Sequence, residues 1–99
     1  MSRLKQSEAK RRLRALGGWS MRASVIRRTF VFKGFPQAIR FVGRVARAAQ
    51  AADHHPDIDI RWNRVTLALT THSEGGLTAK DFAMARRCSA LFPAGPKKS

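Results

Sequence analysis

The chain has 99 residues, which is the length of one small domain and too short for two independent hydrophobic cores. Apolar residues make up 43% of the sequence, enough for one modest core and too many for a disordered tail. The single cysteine, Cys88, excludes an intramolecular disulfide, and no apolar run is long enough to span a membrane. The basic N-terminus has no apolar region behind it, so we expect no secretory signal, no membrane partner and a cytoplasmic location.

The formal net charge is +14, and most of it lies in the first half of the chain. Residues 1–50 contain thirteen basic residues and one acid, whereas residues 51–99 contain seven basic residues and five acids. A basic half of this kind indicates affinity for polyanions, so weak nucleic-acid binding through the N-terminal half is one prediction. The alternative is a solvated basic surface that improves solubility and has no specific partner.

The first half of the chain predicts a helix, a hairpin and a second helix. Residues 4–16 contain no proline or glycine and precede Gly17-Gly18, which is typical of a helix end. Residues 19–32 are rich in β-branched and aromatic side chains, which indicates a hairpin that turns at Ala23-Ser24. Between Pro36 and Ala52, apolar residues recur at helical spacing opposite a stripe of three arginines, which predicts an amphipathic helix.

The second half predicts a strand and a final helix. Apolar residues alternate with small or polar ones over residues 65–70, which is typical of a half-buried strand of an antiparallel sheet. Thr78 and Asp81 have the spacing of a capping box, so a last helix is expected to begin there and to end before Pro93.

The order of these elements predicts the fold class. Helices with one apolar face need a partner, and an antiparallel sheet covered on one side supplies it, so the sequence predicts an α+β fold. We expect a single domain over residues 1–99, with a core at about residues 4–92 and a flexible tail at residues 93–99.

All three histidines of the chain are predicted to lie close together. His54 and His55 follow the long helix, His72 follows the strand, and the residues between them leave room for a turn and a returning strand. Imidazoles titrate near neutral pH, which suits proton transfer. Because adjacent residues send their side chains in different directions, we expect His54 and His55 to have different roles, one at the reacting centre and one in orienting or binding.

Three interpretations of these histidines are open. They are ordinary capping and packing residues, or they form a metal site with Asp53 or Asp57 as a further ligand, or they perform acid–base chemistry on a neutral or heterocyclic substrate. The spacing does not match the His-x-x-x-His grip of a helical metal site, which disfavours the second interpretation.

The histidines are part of a longer motif. It consists of QAADHHP at residues 50–56, Trp62-Asn63, Thr70-Thr71-His72, GGLT at residues 75–78, and Asp81. This pattern resembles the pterin-4a-carbinolamine dehydratase family, and the likeness extends back to Gly18-Trp19, so that it covers about residues 10–92. Several fixed spacings combined with a matching order of elements make the resemblance specific.

The resemblance implies a fold and an activity. The activity is loss of water from a 4a-hydroxytetrahydropterin to give the quinonoid dihydropterin, which recycles the cofactor of aromatic amino acid hydroxylases. The fold is a sheet of four antiparallel strands with helices on one face, assembling into a homodimer or homotetramer, with the pterin as substrate and with no metal or resident cofactor. Because some members are partners of transcription factors, a non-catalytic or dual-role binding protein that uses the basic N-terminal half is the alternative function.

The resemblance also implies roles for individual residues. His54 and His72 would transfer protons at the 4a-hydroxyl, and His55 would bind the substrate, whereas Asp81 is interpreted as a helix cap. The positions expected to line the pterin are Gln50, Asp53, Trp62, Thr70, Thr71 and Ser73.

Gln50 stands where many relatives carry glutamate. A carboxylate near the histidines favours imidazolium and an amide does not, so we expect weaker dehydratase activity or a more acidic pH optimum than in relatives with the acid.

Overall fold

The protein is described by a computed structural model over residues 2–93. Its elements are α1 (Gln6–Leu16), β1 (Ser20–Arg22), β2 (Val25–Val31), α2 (Phe35–Ala52), β3 (Asp57–Arg61), β4 (Arg64–Leu69), a short 3₁₀ turn (His72–Glu74) and α3 (Ala79–Leu91). The predicted α+β class is therefore confirmed. Of the flexible tail predicted at residues 93–99, all but Pro93 lies outside the described residues.

The four strands form one antiparallel sheet in the order β1-β2-β4-β3. The register of the central pair sets Ile26 opposite Leu69 and Phe30 opposite Val65, and all four of these side chains are buried. The alternate side chains of β2 and β4 lie on the outer face and are exposed or half-buried. The helices therefore cover one face of the sheet and leave the other face open to solvent.

The centre of the core is a cluster of aromatic rings between the sheet and α2. The Phe30 ring lies 4.8 Å from the Phe41 ring and 5.1 Å from the Phe92 ring, measured between centroids. The Trp19 ring packs edge-on against Phe30 at 6.0 Å, and its indole nitrogen donates to the Ser89 hydroxyl at 2.8 Å. These contacts fix α2 and α3 on the sheet.

The helix boundaries follow the predicted signals with one shift. α3 begins with the predicted capping box, formed by Thr78 and Asp81. α1 begins at Gln6 instead of Leu4, because the backbone of Lys5 is extended, with φ −66° and ψ 153°, and the Leu4 N–H donates to the Leu77 carbonyl at 2.8 Å. Within residues 2–93, no helix has the length and apolar character needed to cross a lipid bilayer.

One strand was not predicted from the residues themselves. Residues 57–71 were expected to contain a turn and one returning strand, whereas the structure has a β3–β4 hairpin that turns at Trp62-Asn63. All five residues of β3 are exposed because it is an edge strand, so its sequence has no buried apolar run. Trp62 adopts a φ of 52°, a conformation that is rare for a bulky residue and gives no turn signal in the sequence.

Candidate functional site

The two adjacent histidines are separated by the way in which α2 ends. Asp53 follows the helix in the left-handed conformation, with φ 53° and ψ 43°, which aspartate tolerates better than most side chains. The next backbone N–H, that of His54, turns back to donate to the Ala49 carbonyl at 3.1 Å. This reversal closes the helix and sends the side chains of His54 and His55 to different surroundings.

The His54 side chain points inward to a buried carboxylate. Its Nε2 donates to Asp81 Oδ1 at 2.6 Å, and only 12% of the side chain is exposed. The second oxygen of Asp81 accepts from the Thr71 hydroxyl at 2.8 Å and from the Thr78 backbone N–H at 2.9 Å. Asp81 is fully buried, so one carboxylate joins the end of α2, the segment after β4 and the start of α3. The predicted cap is correct, and the same residue also holds His54.

His55 and His72 line a common cleft on the open side of the sheet. The cleft has a volume of about 100 Å³ and its other lining residues are Val25, Arg27, Asp57, Ala68 and Thr70. Both imidazoles are exposed. A volume of this size holds a few water-sized groups, so a bicyclic ligand would insert one edge and lie partly outside.

His54 does not line this cleft. It lies instead at a groove between α2 and α3, on the other side of the turn. Of the three histidines expected to lie close together, the structure places His55 and His72 on this cleft and His54 at the groove between α2 and α3. The physical reason is the left-handed turn at Asp53 combined with the hydrogen bond that draws His54 to Asp81.

Gln50 is in contact with the cleft through His55. The Gln50 Oε1 atom accepts from His55 Nε2 at 3.1 Å, and both side chains are exposed. Gln50 is therefore a direct partner of a candidate catalytic imidazole.

The predicted substrate-binding residues occupy different positions. Thr70 lines the cleft and donates its hydroxyl to the Ser24 carbonyl at 2.6 Å. Thr71 is buried and bonded to Asp81, so it supports the site from inside. Ser73 is exposed in the 3₁₀ turn, beside His72 in the chain.

Asp53 and Trp62 lie outside the cleft of a single chain. Asp53 is exposed at the end of α2. Trp62, with 69% of its surface exposed, lies at the far end of the β3–β4 hairpin, about 16 Å along the strand from Asp57. The structure therefore does not bring Trp62 to His55 and His72 within one chain.

The structure gives no geometry for the metal interpretation. In the part of the chain between residues 2 and 93, no three His, Cys, Asp or Glu side chains come together as metal ligands would. Of the carboxylates, Asp81 is bonded to His54, Asp57 is the one acid that lines the cleft, and Asp53 is exposed outside it.

Sequence reasoning did not find the link between His54 and Asp81. The two residues are 27 positions apart, and the capping-box spacing explains Asp81 completely at the local level. The one local signal is an aspartate three residues after Thr78 at a helix start, and this signal does not specify a distant partner.

Comparison with known proteins agrees with this architecture. A family model described as pterin 4 alpha carbinolamine dehydratase matches residues 2–91. A relative from Roseiflexus sp. (strain RS-1) that bears the name of this family is 56% identical over 91 residues, which cover 92% of this chain and 98% of the relative.

Two solved structures are also similar. The crystal structure of a transcriptional coactivator/pterin dehydratase from Brucella melitensis has a TM-score of 0.89 and 41% identity, covering 93% of this chain and 100% of that one. A pterin dehydratase-like protein described as a RuBisCO assembly factor in the alpha-carboxysome has a TM-score of 0.63 and 20% identity, and the match covers 78% of this chain and 89% of that one. At this identity the comparison shows the shared fold alone. The family model and the relatives, which span almost the whole sequence, establish that this chain belongs to the pterin-4a-carbinolamine dehydratase family.

Proposed function

We propose that this chain removes water from 4a-hydroxytetrahydropterins to give the quinonoid dihydropterin. The observation that carries the proposal is the pair of exposed imidazoles, His55 and His72, on one small cleft. Membership of the dehydratase family supports the same substrate class. Recycling of the cofactor of aromatic amino acid hydroxylases is the role that follows from this reaction.

The reaction needs one proton donor and one proton acceptor. The bond between C4a and the hydroxyl oxygen breaks, and the oxygen takes a proton and leaves as water. A ring nitrogen gives up its proton as the new carbon–nitrogen double bond forms. Because the two transfers balance and no electrons are gained or lost, histidines suffice, and we propose that no cofactor is involved. Such acid–base assistance gives rate factors of roughly 10²–10⁴.

We assign the two proton transfers to His55 and His72, because these imidazoles reach the cleft. His54, whose Nε2 is already bonded to Asp81, is then a positioning residue that holds the turn carrying His55. The assignment differs from the roles implied by the family resemblance, in which His54 and His72 act on the 4a-hydroxyl and His55 binds. Thr70 and Asp57 supply a hydroxyl and a carboxylate to the amide-like edge of the pterin.

A kinetic comparison of three glutamine variants tests these assignments. The assay couples the protein to a pterin-dependent hydroxylase and follows the decay of the carbinolamine absorbance. His55→Gln and His72→Gln are expected to lower kcat roughly 10²-fold or more and to remove one limb of the pH–rate profile. His54→Gln is expected to lower kcat less and to keep both limbs.

Two results would contradict the proposal. If His55→Gln raises KM alone while His54→Gln abolishes a limb of the pH profile, the roles implied by the resemblance hold. If the wild-type protein does not accelerate loss of the carbinolamine at all, the dehydratase function itself is refuted.

A homodimer or homotetramer is proposed as the assembly, as is typical of the family. Support comes from β3, which pairs with β4 on one side and lies at the edge of the sheet on the other, and on which Ile58 and Ile60 are 37% and 39% exposed. Asp57 belongs both to this edge and to the cleft, so a second copy pairing there would lie beside the site. Ile60→Lys is expected to reduce the mass measured by light scattering, whereas an unchanged mass would exclude the edge as the interface.

Binding of polyanions is the second candidate function. It is supported by α1, where Lys10, Arg11 and Arg14 are exposed, although Glu8 forms ion pairs with Arg11 and Arg12. Phosphate contacts would make the affinity for RNA or DNA fall steeply with salt. A flat salt response, or no binding near physiological ionic strength, would reduce the charge to a determinant of solubility.

A further inference from the structure

A second concave surface lies between α2 and α3, apart from the cleft that contains His55 and His72. We call it the α2–α3 groove, and it has a volume of about 410 Å³. Its lining residues are Ala48, Ala51, Ala52, His54, Lys80, Ala83, Met84 and Arg87. The proposed dehydration uses none of these groups as a substrate contact, so the groove needs a separate explanation.

The floor of the α2–α3 groove is apolar and shallow. Four of its residues are alanines, three of which (Ala51, Ala52 and Ala83) are exposed, and Met84 lies beneath them with 3% of its surface exposed. Alanines leave the backbones of both helices accessible, so another elongated segment can pack closely against them. The volume is within the range of ligand-binding clefts.

The rim of the groove carries two cations and no acid. Lys80 and Arg87 are both exposed, and within residues 2–93 neither forms an ion pair. They lie seven residues apart on α3, and therefore on one face and about 10 Å apart along the helix axis. Ala83 and Met84 lie between them on the same face. The groove thus presents positive charge, apolar surface and positive charge in a line.

We propose that the α2–α3 groove binds an acidic amphipathic helix of a partner protein. In such a helix, two acidic residues two turns apart match the spacing of Lys80 and Arg87, and aliphatic residues between them cover Ala83 and the alanines of α2. A single small carboxylate neutralises one of the two cations and leaves the other unpaired. A nucleic-acid backbone supplies charge but has no aliphatic surface for the floor between the cations.

A second copy of this chain does not have the required helix. The helices of the described part contain two acids, Glu8 and Asp81. Glu8 is paired with Arg11 and Arg12, and Asp81 is buried. α2 would also bring Arg40, Arg44 and Arg47 towards the cations of the groove, so a helix-to-helix contact between copies is electrostatically unfavourable.

The test uses a synthetic helical peptide of about 15 residues, with two glutamates two turns apart and leucines between them, labelled with a fluorophore. A scrambled peptide of identical composition and charge is the matched probe. Binding to the full chain is followed by fluorescence anisotropy. The double variant Lys80→Glu/Arg87→Glu alters the groove. The control variant is Arg22→Glu/Arg64→Glu, which makes the same change in net charge at exposed strand positions away from the groove.

The proposal predicts that the ordered peptide binds more tightly than the scrambled one. It also predicts that the groove variant binds the ordered peptide about tenfold more weakly or worse, while the sheet variant retains wild-type affinity. Equal binding of both peptides, or equal losses in both variants, would reduce the effect to the overall charge and overturn the proposal. Absence of peptide binding would overturn it too, and a lower oligomeric mass of the groove variant would then assign the groove to a second copy.

Discussion

Asp81 provides the most demanding test of how the site is held together, because one buried carboxylate accepts three hydrogen bonds. The change Asp81→Asn removes the negative charge and leaves one accepting oxygen, so His54 Nε2, the Thr71 hydroxyl and the Thr78 N–H cannot all keep their partner. Hydrogen bonds to charged groups contribute about 1.5–3 kcal/mol each, and loss of a helix cap costs about 1 kcal/mol. Breaking a buried pair by removing one partner costs about 3–5 kcal/mol.

These figures overlap because they describe the same contacts, so we expect a loss of about 3 kcal/mol in the free energy of unfolding. For a chain of this length, such a loss lowers Tm by about 15 °C. The measurement is urea unfolding followed by far-UV circular dichroism, with Glu74→Gln as the control. Glu74 is an exposed carboxylate close to the same segment, and its variant should stay within about 0.5 kcal/mol of the wild type. A loss below about 1 kcal/mol in Asp81→Asn would refute the view that this carboxylate joins three elements.

Two further predictions concern single side chains. Gln50→Glu places a carboxylate beside His55 and stabilises the protonated imidazole. The pH–rate profile of the dehydratase should therefore move to higher pH, by less than about one unit because the position is exposed. Superimposable profiles of the wild type and the variant would contradict the contact. Burial raises the pKa of the Cys88 thiol to about 11 and leaves it fully covered, so the native protein should react with a thiol reagent only as fast as it unfolds. Rapid labelling at neutral pH without denaturant, with Cys88→Ala as the blank, would show that α3 opens locally.

The elements with strong local signals could be predicted from the sequence. The periodicity between Pro36 and Ala52 describes α2 to within one residue, because an apolar stripe at helical spacing is a property of the segment itself. The capping box at Thr78 is equally local, since its donors and acceptors are three residues apart. By contrast, β3 was not predicted although its polar and apolar residues alternate, because the run is only five residues long and its two isoleucines are more than a third exposed at the edge of the sheet. The count of four strands came from the family resemblance.

The candidate site was predictable to the extent that it depends on chain order. His72 follows β4 and His55 follows α2, and the sheet brings these two ends to one cleft as expected. The separation of His54 was not predictable, since it depends on a left-handed residue at Asp53 and on a hydrogen bond to a side chain 27 residues away. A sequence motif specifies which residues are adjacent, whereas the direction of each side chain is decided by packing at a distance.

The net charge and the proposed chemistry are spatially distinct. The cleft contains one cation, Arg27, and one acid, Asp57, together with its two imidazoles, so the charge of +14 is carried almost entirely outside it. A neutral pterin therefore does not require the basic surface, and the basic surface does not require an active cleft. It follows that loss of dehydratase activity and loss of anion binding should be separable by mutation. Substitutions at His55 and His72 should remove the activity alone, and substitutions at Lys10 and Arg14 on α1 should weaken anion binding and leave the activity intact.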